Sequence, residues 1–175
     1  MHYATIKPVD IADGPGVRVS LFVSGCTHRC PGCFNAEAWD FSYGAPFTEE
    51  TQEELLKALS PDYIEGLTLL GGEPMEPVNQ EALLPFIRKV RERLPEKTIW
   101  CFTGYDFETD ILGRMMPQSE TACQLVPLFD VMVDGKFVQE LKNITLKFRG
   151  SENQRVLNVQ ASLEAGKAVW EEGFR

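Results

Sequence analysis

The stretch Arg18 to Asn35 reads RVSLFVSGCTHRCPGCFN, and the reading of the whole chain turns on it. Arg18 to Val23 is rich in β-branched and aromatic residues, the composition of a buried strand. Ser24 and Gly25 then break it. In the loop that follows, Cys26, Cys30 and Cys33 stand at C-x3-C-x2-C spacing, with Gly25, Pro31 and Gly32 loosening the backbone. Three thiolates gathered on one loop can hold a soft metal centre. A structural zinc, or an iron–sulfur cube held by cysteine alone, takes four protein ligands, so three leave one position open to a small molecule. Two other readings stand beside this one: a zinc site completed by His28 or Cys101, or buried cysteines with no chemical role.

The chain has 175 residues and five cysteines, an odd number that intramolecular disulfides cannot exhaust. Cys101 and Cys123 stand apart from the other three and are expected as small buried residues. The start, MHYATIKPVD, shows no signal-peptide pattern, and apolar runs such as Val19 to Val23 are far short of a membrane span. A reducing, cytoplasmic setting is therefore expected, which favours a metal site over a disulfide scaffold. With 26 acidic and 17 basic residues, the chain lacks the basic footprint that nucleic acid or an anionic membrane would need.

Beyond the cysteine loop, short β-rich runs alternate with helical patterns. Thr48 is an expected N-cap, followed by Glu49 and Glu50 and by Leu55, Leu56 and Leu59 on one helical face. Gly66 to Leu70 reads as a buried strand that stops at Gly71-Gly72. A helix is expected from near Asn79, with Leu83, Ile87, Val90 and Leu94 on its core face and Pro85 inside its first turns. Thr98 to Phe102 and Val131 to Val133 read as strands, with helical segments between them reaching to about Met116 and around Ala122 to Val126. Ile144 to Phe148 and Val156 to Val159 are weaker strand candidates. The run Glu49 to Glu54 reads as a solvated helix face. This alternation implies right-handed βαβ units in one α/β domain spanning 1–175, an open or incomplete (β/α) barrel of about five or six βα units. Its site is expected at the C-terminal strand ends.

Two further motifs fall at such ends, and a third lies before a strand. Gly71-Gly72-Glu73-Pro74 follows one strand, and Asp134-Gly135-Lys136 follows another; read alone, each is a turn. Asp13-Gly14-Pro15-Gly16-Val17-Arg18 precedes the first strand as a tight turn.

With these motifs around it, the cysteine loop resembles that of the radical S-adenosylmethionine enzymes. Asp13 to Arg18, Trp100 to Tyr105, Val133 to Phe137 and Phe148 to Arg155 are similar to the glycyl-radical activating enzymes, in particular the activators of anaerobic ribonucleoside-triphosphate reductase. The likeness spans about residues 8–155; residues 156–175 carry no assigned role. The resemblance implies a barrel of the radical S-adenosylmethionine type with a [4Fe-4S] cluster on Cys26, Cys30 and Cys33, its fourth iron chelating S-adenosylmethionine. It places Gly32, Cys33, Phe34, Gly71, Gly72, Glu73 and Pro74 about that cofactor, with Asp134 and Lys136 at its methionine end. It implies reductive cleavage to a 5'-deoxyadenosyl radical, which takes a hydrogen from a glycine of the reductase. No side chain, His2 and His28 included, is needed as general acid or base. His28 is expected exposed or in a local hydrogen bond. A flavodoxin-like electron donor and a possible homodimer are also implied. The alternatives are an activase of another glycyl-radical enzyme such as pyruvate formate-lyase, a radical enzyme acting on a small molecule, or a non-catalytic zinc-binding module.

Overall fold

The computed structural model describes residues 1–175. The elements run β1 (His2–Asp10), β2 (Val17–Val23), β3 (Ala45–Pro46), α1 (Glu49–Leu59), β4 (Ile64–Gly71), α2 (Pro77–Arg93) and β5 (Thr98–Phe102). A wide-turn helical segment (Phe107–Met115) leads through α3 (Met116–Gln118) and α4 (Glu120–Leu125) to β6 (Val131–Asp134), β7 (Arg155–Asn158) and α5 (Val159–Ala165). One open sheet takes all seven strands in the order β3-β1-β2-β4-β5-β6-β7.

The four central strands, β2, β4, β5 and β6, are parallel, whereas β1, β3 and β7 pair antiparallel at the flanks. That is three crossovers, fewer than the five or six βα units expected. Residues 11–16 are too short for a crossover, so β1 can only fold back on β2. Between β6 and β7 the chain has only a single-turn 3-10 segment, Gln139–Leu141, so β7 also returns antiparallel.

Alternation along each strand separates two faces. Val19, Leu21 and Val23 of β2, Leu67 and Leu69 of β4, and Ile99 and Cys101 of β5 join the main core under α1 and α2. The opposite face carries Trp100, Val131, Val133 and Val156, closed by Phe148 and by Phe174 near the end of the chain. At the strand starts on this face Arg18 is fully buried. It donates to Thr68 Oγ1 (2.8 Å), Thr98 Oγ1 (2.9 Å) and the carbonyls of Leu67 (2.9 Å) and Thr98 (3.0 Å), and lies over the Trp100 ring. The hydroxyl of Thr68 donates in turn to the Asp13 carbonyl (2.9 Å). The Asp13–Arg18 motif is thus a lock on three strands at the end away from the cysteine loop.

Thr48 caps α1 through reciprocal bonds with Thr51, and Leu55, Leu56 and Leu59 are buried as expected. Helix α2 starts two residues before Asn79, which puts Pro85 in its interior rather than its first turns. Pro85 lies on the exposed face, as does Glu81, whose carbonyl loses its helical donor and can turn to water. Ile144 to Phe148 forms no strand: the Asn143 side chain accepts from Thr145 N (3.0 Å) and Oγ1 (2.7 Å), and a turn results.

Candidate functional site

Register places the site. Val23 of β2 stands opposite Gly71 of β4, so the two strands end level and their loops touch. Gly72 N donates to Val23 O (2.7 Å) and Glu73 N to Gly25 O (2.8 Å). Gly71 has φ +109°, and a Cβ there would stand 2.6 Å from the Val23 carbonyl, so no other residue fits this seam. The loops after β2, β4, β5 and β6 surround a cleft of about 230 Å³ bordered by Cys26, Cys30 and Cys33.

All three cysteines are free thiols, Cys26 buried and the other two half-buried. Burial pushes the Cys26 thiol up to about 11 and also raises Cys30. Backbone donors partly offset this: the N–H groups of His28 and Arg29 face Cys26, and that of Phe137 faces Cys30. The loop turns through Arg29 in a left-handed conformation (φ +51°).

Two carboxylates from the loop after β4 clasp the cysteine loop. Glu73 is 1% exposed; its Oε1 accepts from Met75 N (2.8 Å), and its Oε2 accepts from Gly104 N (2.7 Å) and meets His28 Nε2 (2.7 Å). His28 is therefore neither exposed nor in a sequence-local bond. It is buried, edge-on to Tyr105 at 4.4 Å. Glu76 Oε1 accepts from both Thr27 N (2.8 Å) and Thr27 Oγ1 (2.6 Å). Glu76 has no signal of its own in the sequence, because its partner lies 49 residues away.

The motif after β6 divides. Asp134 is 1% exposed and fully engaged: Oδ1 accepts from Arg155 Nε (3.0 Å), and Oδ2 from Arg155 (2.5 Å) and Phe107 N (2.9 Å). Arg155 also bonds Glu108 (2.8 Å) and Asp106 (3.3 Å), so one cation ties together the acidic group Asp106, Glu108 and Asp134 and offsets part of its charge. Gly135 lines the cleft and Lys136 is exposed beside it. Further lining comes from Trp39, Phe102, Arg149 and Gln154, which the motifs did not single out as site residues. Gln154 ties this wall together, accepting from Gly150 N (2.8 Å) and donating to Gly135 O (2.9 Å). Arg149 makes no ion pair, and its buried Nε has no partner.

Neither remaining cysteine joins the three. Cys101 is buried on the helical face as expected, its thiol pushed well up by burial, but Cys123 is not buried: it lies on α4 on the exposed side, its thiol donating to the Met116 carbonyl (2.9 Å). The donor set suits a cluster better than one ion. Thiolates about 2.3 Å from a tetrahedral zinc lie roughly 4 Å from each other. The only thiol, imidazole or carboxylate group drawn within 4.8 Å is the Asp106 trio, so the three sulfurs do not converge on a single centre. His28 is committed to Glu73 and is not free to complete such a site.

The family of 4Fe-4S single cluster domains matches residues 12–157. The chain is 42% identical to the anaerobic ribonucleoside-triphosphate reductase-activating protein of Pasteurella multocida over 88% of its length and 95% of that protein. It is 43% identical to the protein of that name from Haemophilus influenzae (88% and 96% covered) and 42% to that from Escherichia coli (89% and 97%).

Proposed function

The chain belongs to the family of anaerobic ribonucleoside-triphosphate reductase-activating proteins and carries its 4Fe-4S single cluster domain, and from that premise we propose how its site works. It is an activating enzyme with a [4Fe-4S] cluster and S-adenosylmethionine as cofactors, and its protein substrate is the reductase. The observation that carries the reading is the cleft itself: three free thiols on its border, no fourth protein ligand, and a carboxylate clasp fixing the loop that bears them.

Cys26, Cys30 and Cys33 would hold the cluster, and with no fourth cysteine beside them one position would be left for the cofactor. When bound, cluster and cofactor together supply the 5'-deoxyadenosyl radical that removes a hydrogen atom from the partner's glycine. The chain's own residues bind, orient and exclude water. Cys33 and Phe34 would form one side of the cofactor seat, and Gly71, Gly72 and Glu73 another, whereas Gly32, which packs against Gln139, and the buried Pro74 do not line the cleft and shape their loops from behind. Because the Glu73 carboxylate is committed to Gly104, Met75 and His28, this loop offers the cofactor its backbone rather than that side chain. Asp134 acts at one remove by holding Arg155 and the Phe107 backbone. Lys136 at the rim and Arg149 in the wall supply positive charge for the methionine carboxylate. Leu70, Phe102 and Phe137 keep the cleft apolar, which strengthens each of these interactions.

The proposal extends to a flavodoxin-like electron donor, a homodimer and a cytoplasmic setting. No helix is long and apolar enough to cross a membrane. The single domain is taken as the incomplete barrel of the radical S-adenosylmethionine type, its open sheet leaving room for a protein loop.

Anaerobic loading with iron and sulfide should give about four iron and four sulfide per chain. Under dithionite the loaded protein should release 5'-deoxyadenosine and methionine, and with the reductase it should produce a glycyl signal in electron paramagnetic resonance. Cys30→Ala should abolish cleavage and leave the fold intact. Colourless protein holding one zinc, with no cofactor cleavage, would end this reading. A glycyl signal only with another partner would overturn the choice of substrate.

A further inference from the structure

The rim of the cleft carries exposed apolar side chains together with a local excess of positive charge, in a chain that is acidic as a whole. Phe34 is 75% exposed, its ring 6.0 Å from that of Phe137, and Lys142 Nζ lies 5.2 Å from the Phe34 ring centre. Next to Lys142 in the chain, Leu141 is 40% exposed, and two residues on Ile144 is 89% exposed. Residues 135–154 hold Lys136, Lys142, Lys147 and Arg149 against Glu140 and Glu152, in a chain whose net charge is -9. None of these four cations is in an ion pair.

The segment is also held in shape. Lys142 bridges antiparallel to Ser151, Asn143 N donates to Gly150 O (3.1 Å) and Glu152 N to Leu141 O (2.9 Å). Beneath it, Phe148 packs into the Trp100 and Phe174 cluster. Its apolar side chains are therefore presented outward from an ordered turn, while its inner residues are tied to the sheet.

We infer that this lip, formed by Phe34, Leu141, Lys142, Ile144 and Lys147, is the surface on which the reductase docks, through an apolar face flanked by acidic residues next to its reacting glycine. The inference rests on the function proposed above and adds the surface that serves it. A hydrogen atom passes only between groups in van der Waals contact, so the glycine-bearing segment has to enter the cleft. The surface bordering that entry is then covered by the same partner. Exposed Phe, Leu and Ile supply the apolar centre of such a contact, and unpaired lysines at its edge attract an acidic partner and set its orientation.

The test uses the loaded full chain with dithionite as reductant and purified anaerobic reductase in increasing amounts, glycyl radical being read by electron paramagnetic resonance. Ile144→Glu, and separately Lys142→Glu with Lys147→Glu, should raise the reductase concentration at half-maximal radical by about tenfold or more. Cofactor cleavage without reductase should stay within about twofold of the parent, which also reports intact folding and cluster. Added salt should weaken activation by the parent more steeply than by the double lysine variant. An unchanged reductase dependence in both variants overturns the inference. So does a defect that appears only when a reduced flavoprotein replaces dithionite, which would give the lip to the electron donor. A parent protein that cleaves the cofactor yet never marks the reductase would instead overturn the choice of substrate and this surface with it.

Discussion

Glu73 shows how the side chain of a motif residue can matter through the loops it holds together. Its two oxygens meet three groups from three segments: Met75 in its own loop, Gly104 after β5 and His28 between Cys26 and Cys30. Glu73→Ala strands those groups in a buried place, at a cost of about 3 kcal/mol. Urea unfolding of the cluster-free protein should show that loss, with Glu73→Gln intermediate because one acceptor survives. Asp13 gives a pH signature remote from the site. Burial, then the hydrogen bond and charge of Asp10, push its carboxyl from 3.8 up to about 7. The folded chain thus keeps a proton that the unfolded chain releases. This contribution is fully present below about pH 4 and is lost as pH rises to about 7. Asp13→Asn should remove that slope and stabilise the protein above pH 7 by about 1 kcal/mol after solvent screening, as thermal melts across pH would show.

Among the elements, the three strands β2, β4 and β5 depend on one side chain. Arg18 has no carboxylate in contact, and burial draws its pKa down to about 10, yet it satisfies two hydroxyls and three carbonyls. Arg18→Met would leave those groups unpaired and should cost about 3 kcal/mol in urea unfolding. Cofactor cleavage at low temperature should persist, because the cysteine loop lies at the other end of β2. Most elements were readable from periodicity: the Thr48 cap, the Leu55–Leu59 face, and the strands around Leu69, Trp100 and Met132 all stand where apolar spacing put them. Pro85 and Ile144 to Phe148 were not. Helix packing over-rode the local preference of a proline on an exposed face, and the Asn143 side chain turned a β-rich run into a loop.

For the molecule as a whole, the sheet stays open, with its aromatic face covered by the end of the chain. Phe174 packs edge-on to Trp100 at 5.7 Å, Trp170 bridges to Leu157, and Ser162 Oγ accepts from Val169 N (2.9 Å). Removing residues 168–175 should expose Trp100, now 3% exposed, shift tryptophan emission to the red and cost about 2–4 kcal/mol. This is the structural role of a segment to which the motifs assigned none.

The chemistry was written in the sequence: three cysteines at fixed spacing, with glycine and proline loops after the strands, carry their meaning locally because one short loop supplies all three thiols. Composition likewise spoke against a membrane span and a nucleic-acid surface. What holds that loop was decided only in three dimensions. Glu73, Glu76, Arg155 and Gln154 act on residues far along the chain, and no spacing rule records which carboxylate will meet which donor. The number of parallel strands was also a tertiary matter, since it depended on which connections found a helix to cross with and which had to fold straight back. Cys26, Cys30 and Cys33 border one cleft and Cys101 is buried apart from them, while Cys123, expected buried, stands exposed. The cleft that the three border exists because Val23 and Gly71 end in register, placing two loops 48 residues apart within hydrogen-bonding distance.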